Sequence, residues 1–414
     1  MQTSAVVTTV EALVMAAKDS TIRSIVVNES LAGVPSMRLS PGQSLRGNDN
    51  RVTLTFSSDA EGLQLSSDNQ VQSLRLEVLP TKRAIFNDVS VLSFGRIELS
   101  SIVTVGRVQV LARDNVQAGH VEVNGLDIVS ADARAEMNRP HEYGVYVLQG
   151  AFTLWNMQPD KDVETTANLV GVSAGRIGNP VLGSGIFVSG ASDEGGRLFI
   201  QRLQTGAVYS DGKIAAATAD QITGGLFTVF GAYVDAVTNL GPVVTYGVND
   251  MALDNWGVVD RWTAEEKICT FGASGIGFVN FGTVRELRIN APIETFGQGS
   301  RGFNVYTGTV ELAEFDRIVT HADGAVGVQI AQPMGRLTVR RGIETFGGTG
   351  QSLVKGVLET LSAIALSIKP GGSARSVIIK GGLKTNGKGV TPFEQHRSID
   401  SLSVSGGFLG AGGI

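Results

Sequence analysis

Between residues 240 and 350 one short phrase returns every twenty-five residues, and this repeat constrains the fold more than any other feature of the chain. It reads Val243-Val244-Thr245-Tyr246-Gly247, Ile268-Cys269-Thr270-Phe271-Gly272, Ile293-Glu294-Thr295-Phe296-Gly297, Ile318-Val319-Thr320-His321 and Ile343-Glu344-Thr345-Phe346-Gly347. A second phrase runs between these at the same interval: Gly277-Phe278-Val279-Asn280, Gly302-Phe303-Asn304-Val305 and Gly327-Val328-Gln329-Ile330. A third follows as Glu286-Leu287-Arg288-Ile289, Leu312-Ala313-Glu314-Phe315 and Leu337-Thr338-Val339-Arg340. Apolar positions alternate with period two and Gly, Asn, Asp or Pro marks the joins, so each unit is three short strands separated by turns.

A unit this small cannot bury its own apolar face, so it must stack on its neighbours. Stacking pairs each strand in parallel with its equivalent one coil away, at roughly 4.8 Å per rung. The expected fold is all-β: a single-stranded parallel β-helix solenoid with three short strands per coil. A β-propeller blade needs about 40 to 50 residues. The leucine spacing of a leucine-rich repeat is absent. Before residue 240 the spacing loosens, but Gly144-Val145-Tyr146-Val147, Gly185-Ile186-Phe187-Val188 and Gly225-Leu226-Phe227-Thr228 read as related pieces. At the start, Thr8-Thr9-Val10-Glu11 has the capping-box pattern ahead of Ala12-Leu13-Val14-Met15-Ala16-Ala17-Lys18. The spacing thus predicts a cap helix within residues 1–20, a solenoid over 21–407, and a flexible tail over 408–414.

Composition narrows the function classes. The chain has 42% hydrophobic and 18% charged residues and a net charge of -5, which suits a well-packed fold and argues against gripping nucleic acid. Cys269, the one cysteine, excludes an internal disulfide and a cysteine-based zinc site. No apolar run is long enough for a membrane-spanning helix. The first residues lack the basic leader and apolar stretch of a secretory signal, so sequence alone suggests a cytoplasmic protein.

The threonine and aliphatic ladders, the N-terminal cap and the entry phrase Leu39-Ser40-Pro41-Gly42-Gln43-Ser44-Leu45-Arg46-Gly47 together resemble the right-handed parallel β-helix proteins of the pectin-lyase-like superfamily. The resemblance spans nearly the whole chain. It implies a right-handed coil, an extracellular or surface location, and a function drawn from polysaccharide lyases, glycoside hydrolases, epimerases, tailspikes and adhesins. The polygalacturonase-like Asn-Thr-Asp, Asp-Asp and Arg-Ile-Lys phrases are absent, and Gly119-His120-Val121 holds only a fragment of Gly-His-Gly. The pectate-lyase Trp-x-Asp-His and Arg-x-Pro-x-x-Arg phrases are missing too.

If Ile and Thr of the first phrase point inward, alternation sends Tyr246, Phe271, Phe296, His321 and Phe346 outward in a stripe about 19 Å long. Such a stripe could stack against sugar rings; it could equally lie under a loop or a neighbouring subunit. Glu294 and Glu344 would stand two rungs apart, about 9 to 10 Å between backbones, a spacing compatible with an inverting glycosidase pair. The segment from Asn249 to Trp262 adds Asp250, Asp254 and Asp260 as acid/base candidates, with Trp256 and Trp262 as sugar-stacking candidates. The alternative is turn chemistry for the carboxylates and core filling for the tryptophans. His120, His141, His321 and His396 show no metal-ligand spacing, and no phosphate-cradling or cofactor motif occurs, so no metal and no cofactor is expected. Two functions fit. One is binding, and in an enzyme cleavage, of an extended polysaccharide along the 246–346 column by a lyase or glycoside hydrolase. The other is a non-catalytic structural or assembly solenoid using the same face as a homo-oligomer contact.

Overall fold

The computed structural model describes residues 3–139, 145–216 and 218–411. It is an all-β parallel β-helix solenoid in which, from residue 243 onward, the regular coils contribute one strand to each of three ladders. The threonine phrases lie in vertical register. Val243 pairs with Ile268, Ile268 with Ile293, Ile293 with Ile318 and Ile318 with Ile343, and the threonines follow two places on. The second ladder runs through Asp250–Asn255, Ile276–Asn280, Arg301–Val305 and Val326–Ile330, the third through Val258–Ala264, Thr283–Ile289, Thr309–Phe315 and Pro333–Val339.

Alternation sorts the side chains as the phrases demand. Ile268, Ile293 and Ile318 are wholly buried, as are Thr270, Thr295 and Thr320, and the inward column Leu253, Phe278, Phe303 and Val328 fills the lumen opposite. Each buried Phe or Leu of such a column is worth roughly 1.5–3 kcal/mol relative to exposure. At the corner after the second ladder, Asn255 donates to Asn280 Oδ1 at 2.8 Å and Asn280 donates to the Gly282 carbonyl at 2.8 Å, so the turn is braced from within. The glycines closing the Phe271, Phe296 and Phe346 phrases approach the preceding coil closely: a Cβ on Gly297 would sit 1.8 Å from the Gly272 carbonyl oxygen, whereas the His321 phrase closes on Ala322.

In the amino-terminal half, long strands such as Ser93–Val105, Ala118–Ser130 and Glu164–Ala174 run through two faces without interruption. They bend at left-handed Ser101, Gly125 and Gly171, which neighbour one another across successive rungs. The Gly185 and Gly225 phrases are true equivalents, Ile186 pairing with Leu226. The third piece is not. Tyr146–Leu148 pairs with Met137–Asn138 and with the start of Gln221–Thr228, while the genuine rung is Gly150–Asn156, with Phe152 opposite Ile186. Gly144 and His141 lie outside the described residues.

The cap helix is Val10–Lys18. Its N-cap is Thr9, one residue beyond the expected Thr8, because the Thr9 hydroxyl is the one that accepts from Ala12 N–H. Glu11 stays in the first turn, where a carboxylate complements the helix dipole. Leu13, Ala16 and Ala17 cover the first coil, and buried Gln43 donates to the Ala16 and Ile22 carbonyls where the helix ends. A strand, Thr3–Val7, precedes the helix and pairs with Ile22–Val27. At the other end the expected tail begins as structure: Phe408–Gly410 pairs in parallel with Leu383–Thr385, and residues 412–414 lie outside the described residues.

One insertion interrupts the regular stretch. Leu383 follows Ile343 by forty residues instead of twenty-five, and the extra length is an antiparallel hairpin, Thr349–Val354 with Val357–Ser362. Its tip residues Lys355 and Gly356 both have positive φ, as a two-residue primed hairpin turn requires.

Candidate functional site

The column after the threonines stands outside the solenoid. Phe271, Phe296 and Phe346 are 44%, 37% and 44% exposed, with Tyr246 and His321 half-buried. The rings are nearly parallel: Tyr246 to Phe271 is 5.4 Å at 6°, Phe271 to Phe296 5.0 Å at 9°, Phe296 to His321 4.5 Å at 2°, and His321 to Phe346 5.3 Å at 5°. Parallel pairing supplies the rung spacing and the shared side-chain direction makes each ring face the next. The faces are therefore turned toward one another along the axis, and what meets solvent is a ridge of ring edges.

The outward residues one place before the threonines do not behave alike. Cys269 and Val319 are buried, Cys269 in a small cluster with Tyr209 and Val244, and burial pushes its thiol up to about 11. Glu294 sits 3.7 Å from His321. Glu344, two rungs away, is held by Arg317 at 2.7 Å, Lys384 at 2.8 Å and Asn386 at 3.1 Å. Burial raises the Glu344 pKa, but the Lys384, Asn386 and Arg317 hydrogen bonds outweigh it and hold the carboxyl below its ordinary range. A carboxylate so held is a poor proton donor at neutral pH.

The Asn249–Trp262 residues do not converge on the column, because the segment wraps around the coil. Asp250 is fully buried in the turn after the threonine, accepting from Gly247 N–H at 2.7 Å, Gly212 N–H at 3.2 Å and the Thr223 hydroxyl. Burial pushes its carboxyl up to about 7 against those hydrogen bonds. Asp254 and Trp256 lie on the outer side of the second ladder, both buried, Trp256 packing against Phe227, Phe230 and Phe281 at 5.4–5.7 Å. Asp260 is exposed on the third ladder and pairs with Arg285 at 3.0 Å. Trp262 points into the lumen. It is wholly buried, donates its indole N–H to Asn239 Oδ1 at 2.9 Å and meets Phe278 edge-on at 5.0 Å, so a ligand on the outer surface cannot reach it.

Sequence reasoning missed the surroundings of Asp254. The hairpin folds back over the outer side of the second ladder, with Leu353 N–H donating to Ser274 Oγ at 2.9 Å and Ser352 Oγ donating to the Gly299 carbonyl at 2.7 Å. Phe281, Tyr306, Leu353 and Lys355 thereby join Asp254 and Trp256 around one cavity. The forty-residue interval and the Lys355-Gly356 dipeptide between valines were the available signals. Among the described residues, no cluster of His, Cys, Asp and Glu could hold a metal ion, and no helix is long and apolar enough to cross a membrane. No protein-family model matches the chain, and comparisons with curated proteins and with solved structures give no match either.

Proposed function

We propose that this chain is a non-catalytic β-solenoid rod whose aromatic ridge is the apolar centre of a contact with a second copy of itself. The observation that carries this reading is the parallel stacking of the five rings, each within 2° to 9° of the next. A sugar stacks on a ring face, and here the faces are taken by neighbouring rings. What is left is an apolar, periodic row of edges of a kind monomers rarely leave uncovered. Its best complement is a row with the same repeat, which a second copy related by a two-fold axis presents. Two of the candidate carboxylates support the same reading by being committed already: Glu344 is tied to two cations, and buried Asp250 to backbone N–H groups.

A carbohydrate reading keeps one specific support. Ring edges repeating at the rung spacing, beside the outward Glu294, offer equivalent subsites to a repeating polysaccharide. A fold of this kind carries binding, catalytic and structural functions alike, so architecture does not choose between them. Light scattering on the wild type and on Phe271→Ser/Phe296→Ser, with far-UV circular dichroism as the folding control, decides. A wild-type dimer that becomes a folded monomer in the variant is expected. A monomeric wild type that is retained on a glycan array, with retention lost in the variant, replaces the assembly reading with the carbohydrate one.

A further inference from the structure

The cavity under the hairpin has no part in the ridge. It encloses about 310 Å³ on the outer side of the second ladder, and its walls are Trp256, Ile276, Val279, Phe281, Tyr306 and, from the hairpin, Leu353. Asp254 lines it. The Asp254 side chain is completely buried, and neither carboxyl oxygen has a well-formed hydrogen bond. Buried polar groups in folded proteins are nearly always satisfied, and here the Trp256 indole is the side chain that supports the Asp254 carboxyl, a single neutral donor that leaves most of its hydrogen-bonding capacity for a ligand or a proton.

We propose that this cavity binds a small organic cation, an ammonium group on an apolar body, with Asp254 as its counter-ion and the hairpin as its roof. Asp254 and, at the hairpin tip, Lys355 are the charged groups on a lining that is otherwise apolar and aromatic apart from Asn249. The strongest complement of the Asp254 carboxyl is a charge-assisted hydrogen bond from an ammonium donor. The aromatic wall accepts positive charge as well: Lys355 Nζ lies 5.3 Å and the Arg301 guanidinium 5.9 Å from the Tyr306 ring centroid. Neither cation reaches Asp254. Arg301 donates to Ser352 Oγ at 2.8 Å and helps pin the roof instead. The apolar body of the ligand lies against Trp256, Ile276, Val279 and Phe281.

Burial pushes the Asp254 carboxyl well above its ordinary range, with the Trp256 indole hydrogen bond opposing, so the protonated form is favoured here relative to an exposed aspartate. Entry of R–NH3+ then expels the carboxyl proton to solvent and leaves a carboxylate–ammonium pair, with charge conserved. This gives a readout that a purely apolar cavity does not have.

Isothermal titration calorimetry of the full chain with benzylamine, and with benzyl alcohol as the neutral isostere, at pH 7 in buffers of different ionisation enthalpy, tests the proposal. Wild type is expected to bind benzylamine with net proton release, and benzyl alcohol at least about tenfold more weakly and without it. Asp254→Asn should weaken benzylamine by about tenfold or more and abolish proton release. Val279→Phe, which fills the cavity and leaves the carboxyl in place, should also block binding and serves if Asp254→Asn fails to fold. Equal binding of the two probes, undiminished binding by the folded Asp254→Asn chain, or no benzylamine binding by folded wild type overturns the proposal.

Discussion

Phe296 and His321 stack face to face with ring centroids 4.5 Å apart and planes within 2°, the tightest pair of a five-ring column. His321 also faces Phe346 at 5.3 Å and 5°. The imidazole therefore sits in the column as a flat ring between two phenyls, and its place in the ladder is set by shape. Stacked aromatic pairs are worth about 0.5–1.5 kcal/mol each beyond burial. His321→Ala should thus lower stability by about 1–3 kcal/mol, whereas His321→Phe should hold or raise it. Chemical denaturation midpoints check this, and equal losses for both variants would show that the stack contributes nothing.

The threonine ladder is uniform in sequence but not in hydrogen bonding. Thr320 donates its hydroxyl to the Ala325 carbonyl at 2.7 Å, while the Thr245 and Thr270 hydroxyls are buried without a partner. Thr320→Val should cost about 1–2 kcal/mol by leaving that carbonyl short of a donor, and Thr270→Val should be neutral or stabilising. Urea unfolding of the two variants side by side separates the cases; a loss at Thr270 as large as that at Thr320 would contradict the pattern.

Gly297 packs against the preceding coil so closely that an added Cβ would meet the Gly272 backbone, which must shift to take it, although the same place one rung on carries Ala322. Gly297→Ala should destabilise by about 1–3 kcal/mol, in the manner of overpacking. Gly389, whose surroundings are open but whose φ is +72°, should lose less on the same change. Comparison of their thermal midpoints provides the check.

The buried Asp250 makes stability depend on pH with a definite sign. Its folded pKa, about 7, stands above its ordinary 3.8, so the folded chain holds the proton more tightly than the unfolded one. This carboxyl therefore favours folding most below about pH 4, loses ground as pH rises to 7, and levels off above, by on the order of 4 kcal/mol in all. Glu394 acts oppositely. Burial raises its pKa, but hydrogen bonds from Ser367, His396 and Lys369 outweigh it and bring it to about 2, so its contribution is present above about 4.5 and lost only as pH falls through 2. Between pH 5 and 8 the Asp250 slope should show, with Asp254 adding in the same direction. Asp250→Asn, whose amide can keep the Gly247 and Thr223 contacts, should reduce the slope; an unchanged slope would mean that the carboxyl ionises normally.

Much of this was legible without coordinates. The interval from Thr245 to Thr345 contains the parallel register, and the order Ile-Glu-Thr-Phe contains the direction of every side chain in that phrase, because strand alternation leaves no choice. Trp262 was legible as core filling, since it stands twenty-five residues before Leu287 and shares its place on the rung. Asp254 was not legible. Its burial is imposed by a hairpin about a hundred residues further along the chain, which folds across the outer side instead of extending away from it.

The amino-acid sequence alone determined that the chain is a solenoid and that five rings line its outside, because a fixed period combined with two-fold strand alternation admits one geometry. The tertiary structure decided what those rings offer and where the buried acids lie. Ring orientation depends on the rung spacing and on the neighbour above and below, and the cavity depends on how an inserted hairpin packs back on coils distant in sequence. Neither is written in any local pattern, for both arise from contacts between segments that only the coiling of the chain brings together.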